Sequence, residues 1–271
     1  MGAAMLRGAS AEAMAGLSDK LGKSDTLADQ AKTGEELFGV ARILRSDAAL
    51  RRVLTDSSVD PEARTGVAES IFGSAVGDRT MKILADAATR RWTVSGDLPD
   101  VLERLAVVST VRSAGRDGAK VGDELFAVGR IINGNPELRS ALSDQTRSDE
   151  DRSALLGGLL DGKTLPSTAL LVREAVSRGQ GTVSAVLESY LVLGAEALDE
   201  AVATVHTARE LTSSERERLL AALTKQYGSD VQLHIVVDPS LVGGMRIQIG
   251  DDVIDGTVSG RLDEAGRKLA S

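Results

Sequence analysis

Two stretches of the chain repeat each other and decide its fold: Gly34–Ile43 reads GEELFGVARI, and Gly122–Ile131 reads GDELFAVGRI. At the constant offset of 88 residues, 13 of the 31 positions from 34 to 64 are identical in the two stretches. The same offset pairs Arg90 with Arg178 further along the chain. Self-similarity at a fixed spacing indicates a repeated structural unit, so residues 1 to about 195 are predicted to be two copies of a unit of about 90 residues.

Both copies have the apolar spacing of amphipathic helices. Leu37, Val40 and Leu44 recur at intervals of three and four residues, which places them on one face of a helix. Four of the five prolines stand where helices are expected to begin, because the missing N–H costs nothing in the first turn. Each copy is therefore predicted to be a compact bundle of short helices.

The pattern changes near Asp199, where strand-like alternation of apolar and polar residues appears. The predicted elements of this last part are strands at 201–207, 231–237 and 245–249, and helices at 212–227 and 258–269. The fold class is thus mainly α with a small α+β end. The predicted domains are two tandem helical bundles, residues 1–108 and 109–195, and a small α/β C-terminal domain, residues 196–271.

Composition excludes several classes of protein. The formal charge of −8 argues against a nucleic-acid binder, whose affinity depends on Lys and Arg neutralising phosphates. The chain has no cysteine, which excludes disulfides, thiolate metal sites and a cysteine nucleophile. No segment approaches the run of about 20 apolar residues that crosses a bilayer. We expect a soluble, cytoplasmic protein.

One stretch matches the phosphate-binding loop pattern in full: Gly157–Thr164 reads GGLLDGKT. That chemistry needs a buried strand before the loop and a helix directly after it, so that backbone N–H groups point at the phosphates. Here the preceding residues are polar and helical, and the next helix begins only at Pro166. We interpret the stretch as a turn between helices, and a nucleotide-binding enzyme remains the alternative.

Other residues capable of chemistry are few. His206 and His234 lie on predicted strands and could bind a metal ion with Asp238 or Asp251. Half-buried sheet histidines and a solvated acidic turn are the simpler interpretation, because the acidic cluster at 251–255 lacks the oxygen spacing of a calcium loop. The sequence therefore predicts no catalytic residue, no cofactor and no metal site.

The C-terminal residues carry a resemblance. Val231–Asp251 reads VQLHIVVDPSLVGGMRIQIGD and resembles, position for position, the signature of the delta subunit of F-type ATP synthase. This family includes the oligomycin-sensitivity-conferring protein. The similarity extends upstream to Thr207–Thr212 and downstream to Val253–Val258, within residues 196–271. A typical member has one helical N-terminal domain, whereas the two copies found here resemble the enlarged delta region of actinobacterial synthases.

The resemblance implies a non-catalytic stator subunit of the proton-translocating synthase. Such a subunit joins the top of the catalytic alpha/beta head to the b subunits of the peripheral stalk and resists rotor torque during ATP synthesis. The implied partners are N-terminal helices of alpha subunits and the b subunits, with no nucleic acid and with membrane association only through the complex. The implied location is the cytoplasmic face of the bacterial plasma membrane.

The resemblance also suggests contact residues. In the family, the helical domain takes the N-terminal helix of an alpha subunit, and the C-terminal region meets the b helices. Candidate grooves for alpha helices are placed near Leu84, Ala88, Val172 and Val176, with an ordinary core role as the alternative. Possible contacts to b lie in the signature at Asp238, Pro239, Ser240, Leu241, Gly243 and Gly244, for which a purely architectural role is the alternative. An unrelated cytoplasmic adaptor built from helical repeats is the alternative for the function as a whole.

Overall fold

A computed structural model describes residues 6–21, 26–144, 146–228, 230–250 and 252–258. The chain forms two compact units, Met1–Gly194 and Ala195–Ser271. The first unit is helical, and the second contains a small mixed sheet, which confirms the mainly α fold class with a small α+β end. The helix predicted from Val258 to Leu269 lies outside the described residues, apart from Val258 itself.

The helices of the first unit follow the repeat. The segment before the first copy is α1 (Ala9–Lys20). The first copy comprises α2 (Leu27–Ser46), α3 (Ala48–Thr55), α4 (Pro61–Phe72), α5 (Asp78–Thr89) and α6 (Asp97–Ser113). After a 3₁₀ turn at Gly115–Asp117, the second copy comprises α7 (Gly118–Gly134), α8 (Pro136–Ser143), α9 (Asp149–Ala154), α10 (Gly157–Leu160), α11 (Pro166–Ser177) and α12 (Val183–Ala197).

The two copies share the same internal hydrogen bonds. Glu36 of α2 accepts hydrogen bonds from the Thr80 hydroxyl and from the first backbone N–H before α5. Glu124 of α7 does the same for Thr168 and the N–H before α11, at 2.6 and 2.9 Å. Each carboxylate satisfies donors at a helix start that would otherwise lack partners. The duplication seen in the sequence is therefore also present in the tertiary contacts.

Helix α6 connects the two copies. It packs along α2, where an added Cβ on Gly34 would lie 2.4 Å from Thr110 Oγ1, so only glycine permits this approach. It also contacts α11 of the second copy. The predicted division between residues 108 and 109 falls inside α6, and the two copies meet along a continuous helix.

The second unit is a four-stranded sheet with one helix. Its elements are β1 (Glu200–Thr207), α13 (Ser213–Tyr227), β2 (Asp230–Val237), β3 (Met245–Ile249) and β4 (Asp252–Asp255). The strand order is β2-β1-β3-β4, with β1 and β2 parallel and the other pairs antiparallel. Helix α13 makes the crossover between the parallel strands, and its Leu223 belongs to the same buried core as Val205 and Ile247.

Candidate functional site

The first unit carries an open groove along α5, which we call the α5 groove. Its volume is about 790 Å³. It is lined by residues of α1, α2, α4 and α5: Lys20, Asp29, Thr65, Asp78, Arg79, Lys82, Ile83, Ala85, Asp86 and Thr89. Within this set, Asp78, Lys82, Asp86 and Thr89 recur at intervals of three and four along α5, so they lie on one face of the helix.

Ion pairs and hydrogen bonds fix the walls of the α5 groove. Lys20 of α1 lies 3.0 Å from Asp86, which Arg90 also contacts at 2.8 Å. Arg79 donates a hydrogen bond to the carbonyl of Leu21, at the end of α1. Desolvation opposes ionisation of Asp86, yet the hydrogen bonds from Arg90 and Lys20 hold its pKa below the ordinary value. Helix α1 is therefore tied to α5 at the edge of the groove.

The four residues predicted to line grooves lie elsewhere on these helices. Leu84 and Ala88 are buried on the opposite face of α5, where they line a cavity of only about 10 Å³ together with Phe72. Val172 and Val176 are likewise buried on α11. All four are core residues in this structure. For α5, the prediction named the helix that carries the groove, but it named residues on the buried face of that helix.

A second feature is a cluster of buried charges between the copies, which we call the inter-copy cluster: Arg45, Asp100, Glu103, Arg178 and Tyr190. Glu103 is 3% exposed and accepts hydrogen bonds from Arg45 and from the Tyr190 hydroxyl. Arg178 Nε lies 3.2 Å from the same carboxylate. Burial, with the adjacent Glu103 carboxylate, raises the pKa of Tyr190 well above its ordinary value. The cluster therefore ties α2, α6, α11 and α12 together.

The signature loop between β2 and β3 is held by hydrogen bonds within the loop. Asp238 Oδ1 accepts hydrogen bonds from the Ser240 N–H at 2.9 Å and from its hydroxyl at 2.6 Å. These bonds lower the pKa of Asp238. Gly244 has φ +81°, and an added Cβ would lie 2.3 Å from the carbonyl oxygen of Gly256. Val242, which lies in the same loop, is 85% exposed.

The motif at 157–164 has no features of a nucleotide site. Gly157–Leu160 is the short helix α10, and no strand precedes it in the described part of the chain. Lys163 Nζ donates to the carbonyl of Gly158 at 2.6 Å, so it closes the turn on itself.

No helix among the described residues is long and apolar enough to cross a membrane.

The two histidines lie on adjacent strands without a metal-binding set. In the β1–β2 register, His234 aligns with Thr204 and His206 aligns with Val236. Within the residues that the structure describes, no group of three His, Cys, Asp or Glu side chains could hold a metal ion. His234 is buried, and His206 is half-buried.

The sequence did not identify the groove residues or the inter-copy cluster. For the groove, a signal existed: Asp78, Lys82, Asp86 and Thr89 form a polar stripe along a helix whose other face is apolar. For the cluster, no signal existed, because its hydrogen bonds join residues that are more than 50 positions apart along the chain.

Comparison with known proteins identifies the family. A family model described as "ATP synthase delta (OSCP) subunit" matches residues 105–269. The "ATP synthase subunit delta" of a Nocardioides species is 46% identical over 98% of this chain and 97% of its own length. The protein of the same name from Kineococcus radiotolerans is 42% identical, over 90% and 89%. That from Streptomyces avermitilis is 40% identical, over 97% and 98%.

Proposed function

This chain belongs to the ATP synthase delta (OSCP) subunit family, and from that premise we propose that it joins the catalytic head of the synthase to the b subunits of the peripheral stalk. As a delta-family member it is a non-catalytic, structural subunit of the F-type complex. Its task is to resist the torque of the rotor, so that proton flow is coupled to ATP synthesis. An unrelated adaptor is not supported, because the similarity to delta subunits extends over nearly the whole chain.

The observation that carries the proposal is the α5 groove. We propose that it receives the amphipathic N-terminal helix of an alpha subunit. An α-helix with its side chains is about 10 Å across, and helix-in-groove recognition places its apolar face against a concave surface. Ala85 offers an apolar surface in the groove, whereas Ile83 is only 2% exposed, and Lys20, Lys82 and Asp86 border it. A helix seated there would contact both α1 and α5, which are already tied to each other.

The second unit is the proposed contact with the b helices. Val242 projects from the signature loop, and Val258 is 42% exposed beside it, where an added Cβ on Gly243 would lie 3.3 Å from Val258 Cγ2. Exposed apolar side chains at adjacent positions favour a protein partner over water. In this arrangement the backbone of Asp238 to Gly244 holds the loop, and Val242 makes the contact. The subunit would then lie at the cytoplasmic face of the membrane, held there by the complex.

Calorimetric titration tests the proposal. The full chain is titrated with a peptide of the alpha subunit N-terminal helix from the same organism, and separately with the soluble helical part of b. We expect saturable binding of both at micromolar concentrations or below. Peptides of the same composition in scrambled order serve as controls. Absence of heat with the alpha peptide would contradict the proposed role of the α5 groove, and absence of heat with b would contradict the role of the second unit.

A further inference from the structure

We infer that one chain holds a single partner helix, because the counterpart of the α5 groove in the second copy is covered by α2 of the first copy. This inference rests on the proposed function and refines it. Duplication of the sequence would suggest two equivalent docking sites. The contacts of the two copies show why they are not equivalent.

The repeat assigns a counterpart to each wall of the α5 groove. At the offset of 88 residues, α5 corresponds to α11, and α1 corresponds to the first part of α6, residues 97–108. The contacts agree with this correspondence. Arg79 of α5 contacts Leu21 at the end of α1, and its counterpart Ser167 lies 3.1 Å, Oγ to Oγ, from Ser113 at the end of α6. Helix α6 therefore packs against α11 in the position in which α1 packs against α5.

The arginines at the ends of α5 and α11 support the same correspondence. The guanidinium of Arg90 lies over Gly16 of α1, where an added Cβ would be 2.5 Å from Nη1. Its counterpart Arg178 contacts Glu103 and Asp100 of α6. Helix α6 is therefore the last helix of the first copy and also the first helix of the second.

The outer face of α5 is open at its C-terminal end. Asp86 and Thr89 line the α5 groove, and the Thr89 side chain is exposed. Lys82, one turn earlier on the same face, is exposed as well. Space for a partner helix therefore extends along this face of α5.

The same face of α11 meets α2 of the first copy. Glu174 and Ser177, the counterparts of Asp86 and Thr89, line a smaller cavity of about 280 Å³ whose far wall includes Phe38 and Arg42 of α2. Arg42 Nη1 lies 3.7 Å from Glu174 Oε1. A partner helix laid along α11 as proposed for α5 would collide with α2 at this point.

The pKa values of the two counterpart acids, Asp86 and Glu174, are shifted in opposite directions. Desolvation raises the pKa of Glu174, although Arg42 opposes the shift. The pKa of Asp86 is lowered despite desolvation, by hydrogen bonds from Arg90 and Lys20. Both side chains are 15% exposed, so the opposite pKa directions reflect their different ionic partners.

A matched pair of substitutions tests the inference. Ala85 lies in the α5 groove, and its counterpart in α11 is Arg173, which is exposed. Ala85→Arg places a large charged side chain in the groove, and Arg173→Ala removes one from the corresponding face of α11. In the calorimetric titration with the alpha peptide, we expect a stoichiometry of one. We expect Ala85→Arg to weaken binding about tenfold or more, as for a central contact of an interface, and Arg173→Ala to leave binding unchanged. A thermal melt by circular dichroism checks that both variants are folded.

A second measurement does not depend on loss of binding. The chain has no cysteine, so Thr89→Cys and Ser177→Cys each give one labelling position, at counterpart sites of the two copies. A fluorophore at 89 should respond to the peptide, and one at 177 should not. A stoichiometry of two, or a response only at 177, would overturn the single-site inference while leaving the proposed function in place. No binding to the unmodified chain would contradict the proposed function itself.

Discussion

Glu103 is the residue whose loss should most weaken the first unit. Its carboxylate is the shared partner of Arg45, Arg178 and Tyr190, which belong to three other helices. Glu103→Ala leaves Asp100, whose side chain is 38% exposed, as the remaining acid of the inter-copy cluster. Two guanidinium groups and a phenol would then be left with too few acceptors.

The size of the effect follows from burial. The side chains of Arg45 and Arg178 are 16% and 22% exposed, so water does not replace the lost carboxylate fully. Removing one partner of a buried ion pair costs about 3–5 kcal/mol when the remaining charge is left without compensation. Asp100 lies 2.9 Å from Arg45 Nη2 and 3.6 Å from Arg178 Nη2, so it compensates part of this charge. We therefore expect a loss at the lower end of this range, about 3 kcal/mol, in the free energy of unfolding of the first unit. Glu103→Gln, which keeps the shape of the side chain but not its charge, should cost less.

The assay uses the single tryptophan of the chain. Trp92 is half-buried, and its Nε1 donates to the carbonyl of Ala87 at 3.1 Å, so its fluorescence reports on the first unit. Urea unfolding followed at this residue gives the free energy for each variant. The matched control is Glu188→Ala, since Glu188 follows the same Val-Leu pair in the second copy and is exposed. A difference of less than about 1 kcal/mol between the two variants would refute the argument, because a surface substitution changes stability by about 0.5 kcal/mol or less.

Three further predictions concern other parts of the chain. Gly244→Ala should lower the melting temperature of the second unit, measured by circular dichroism, because the added Cβ would meet backbone atoms. Gly250→Ala, also at positive φ but in open space, should lower the melting temperature less. Equal decreases in the two variants would contradict this explanation. Hydrogen bonds from Arg209 and Thr212 lower the pKa of Glu215 to about 2, so the stabilisation from this carboxylate is present above its unfolded pKa near 4.5 and is lost as pH falls through about 2. A carboxyl NMR titration of the unmodified chain should give that pKa for Glu215, and the Glu215 pKa should be higher in Arg209→Ala. An ordinary Glu215 pKa in the unmodified chain would refute the assignment. Neither the unmodified chain nor Lys163→Ala should bind ATP in equilibrium dialysis, and binding abolished by the substitution would show that 157–164 is a nucleotide site.

Local patterns explain what could be predicted from the sequence. The helix predicted at 212–227 is α13, and Thr212 and Glu215 form a capping box at its start, with both reciprocal hydrogen bonds present. The alternating residues of 231–237 form β2, within Asp230–Val237. These features depend on residues within a few positions of each other. Strand β4 was missed, since all four of its residues are exposed and therefore show no alternation of burial.

Features that depend on distant contacts could not be predicted. A periodic helix such as α5 has an apolar face and a polar face, and the sequence alone does not tell which face a partner uses. The structure buries Leu84 and Ala88 and leaves Lys82 and Thr89 exposed. The sequence also did not show that α6 belongs to both copies, because α1 and the first part of α6 have little sequence in common.

Proton-driven ATP synthesis shows whether the α5 groove holds the catalytic head. Membrane vesicles from the source organism are stripped of this subunit, and the purified chain is added back. We expect the unmodified chain and Arg173→Ala to restore synthesis, whereas Ala85→Arg, which blocks the α5 groove, should not. Full restoration by a folded Ala85→Arg chain would contradict the claim that the catalytic head is held through the α5 groove.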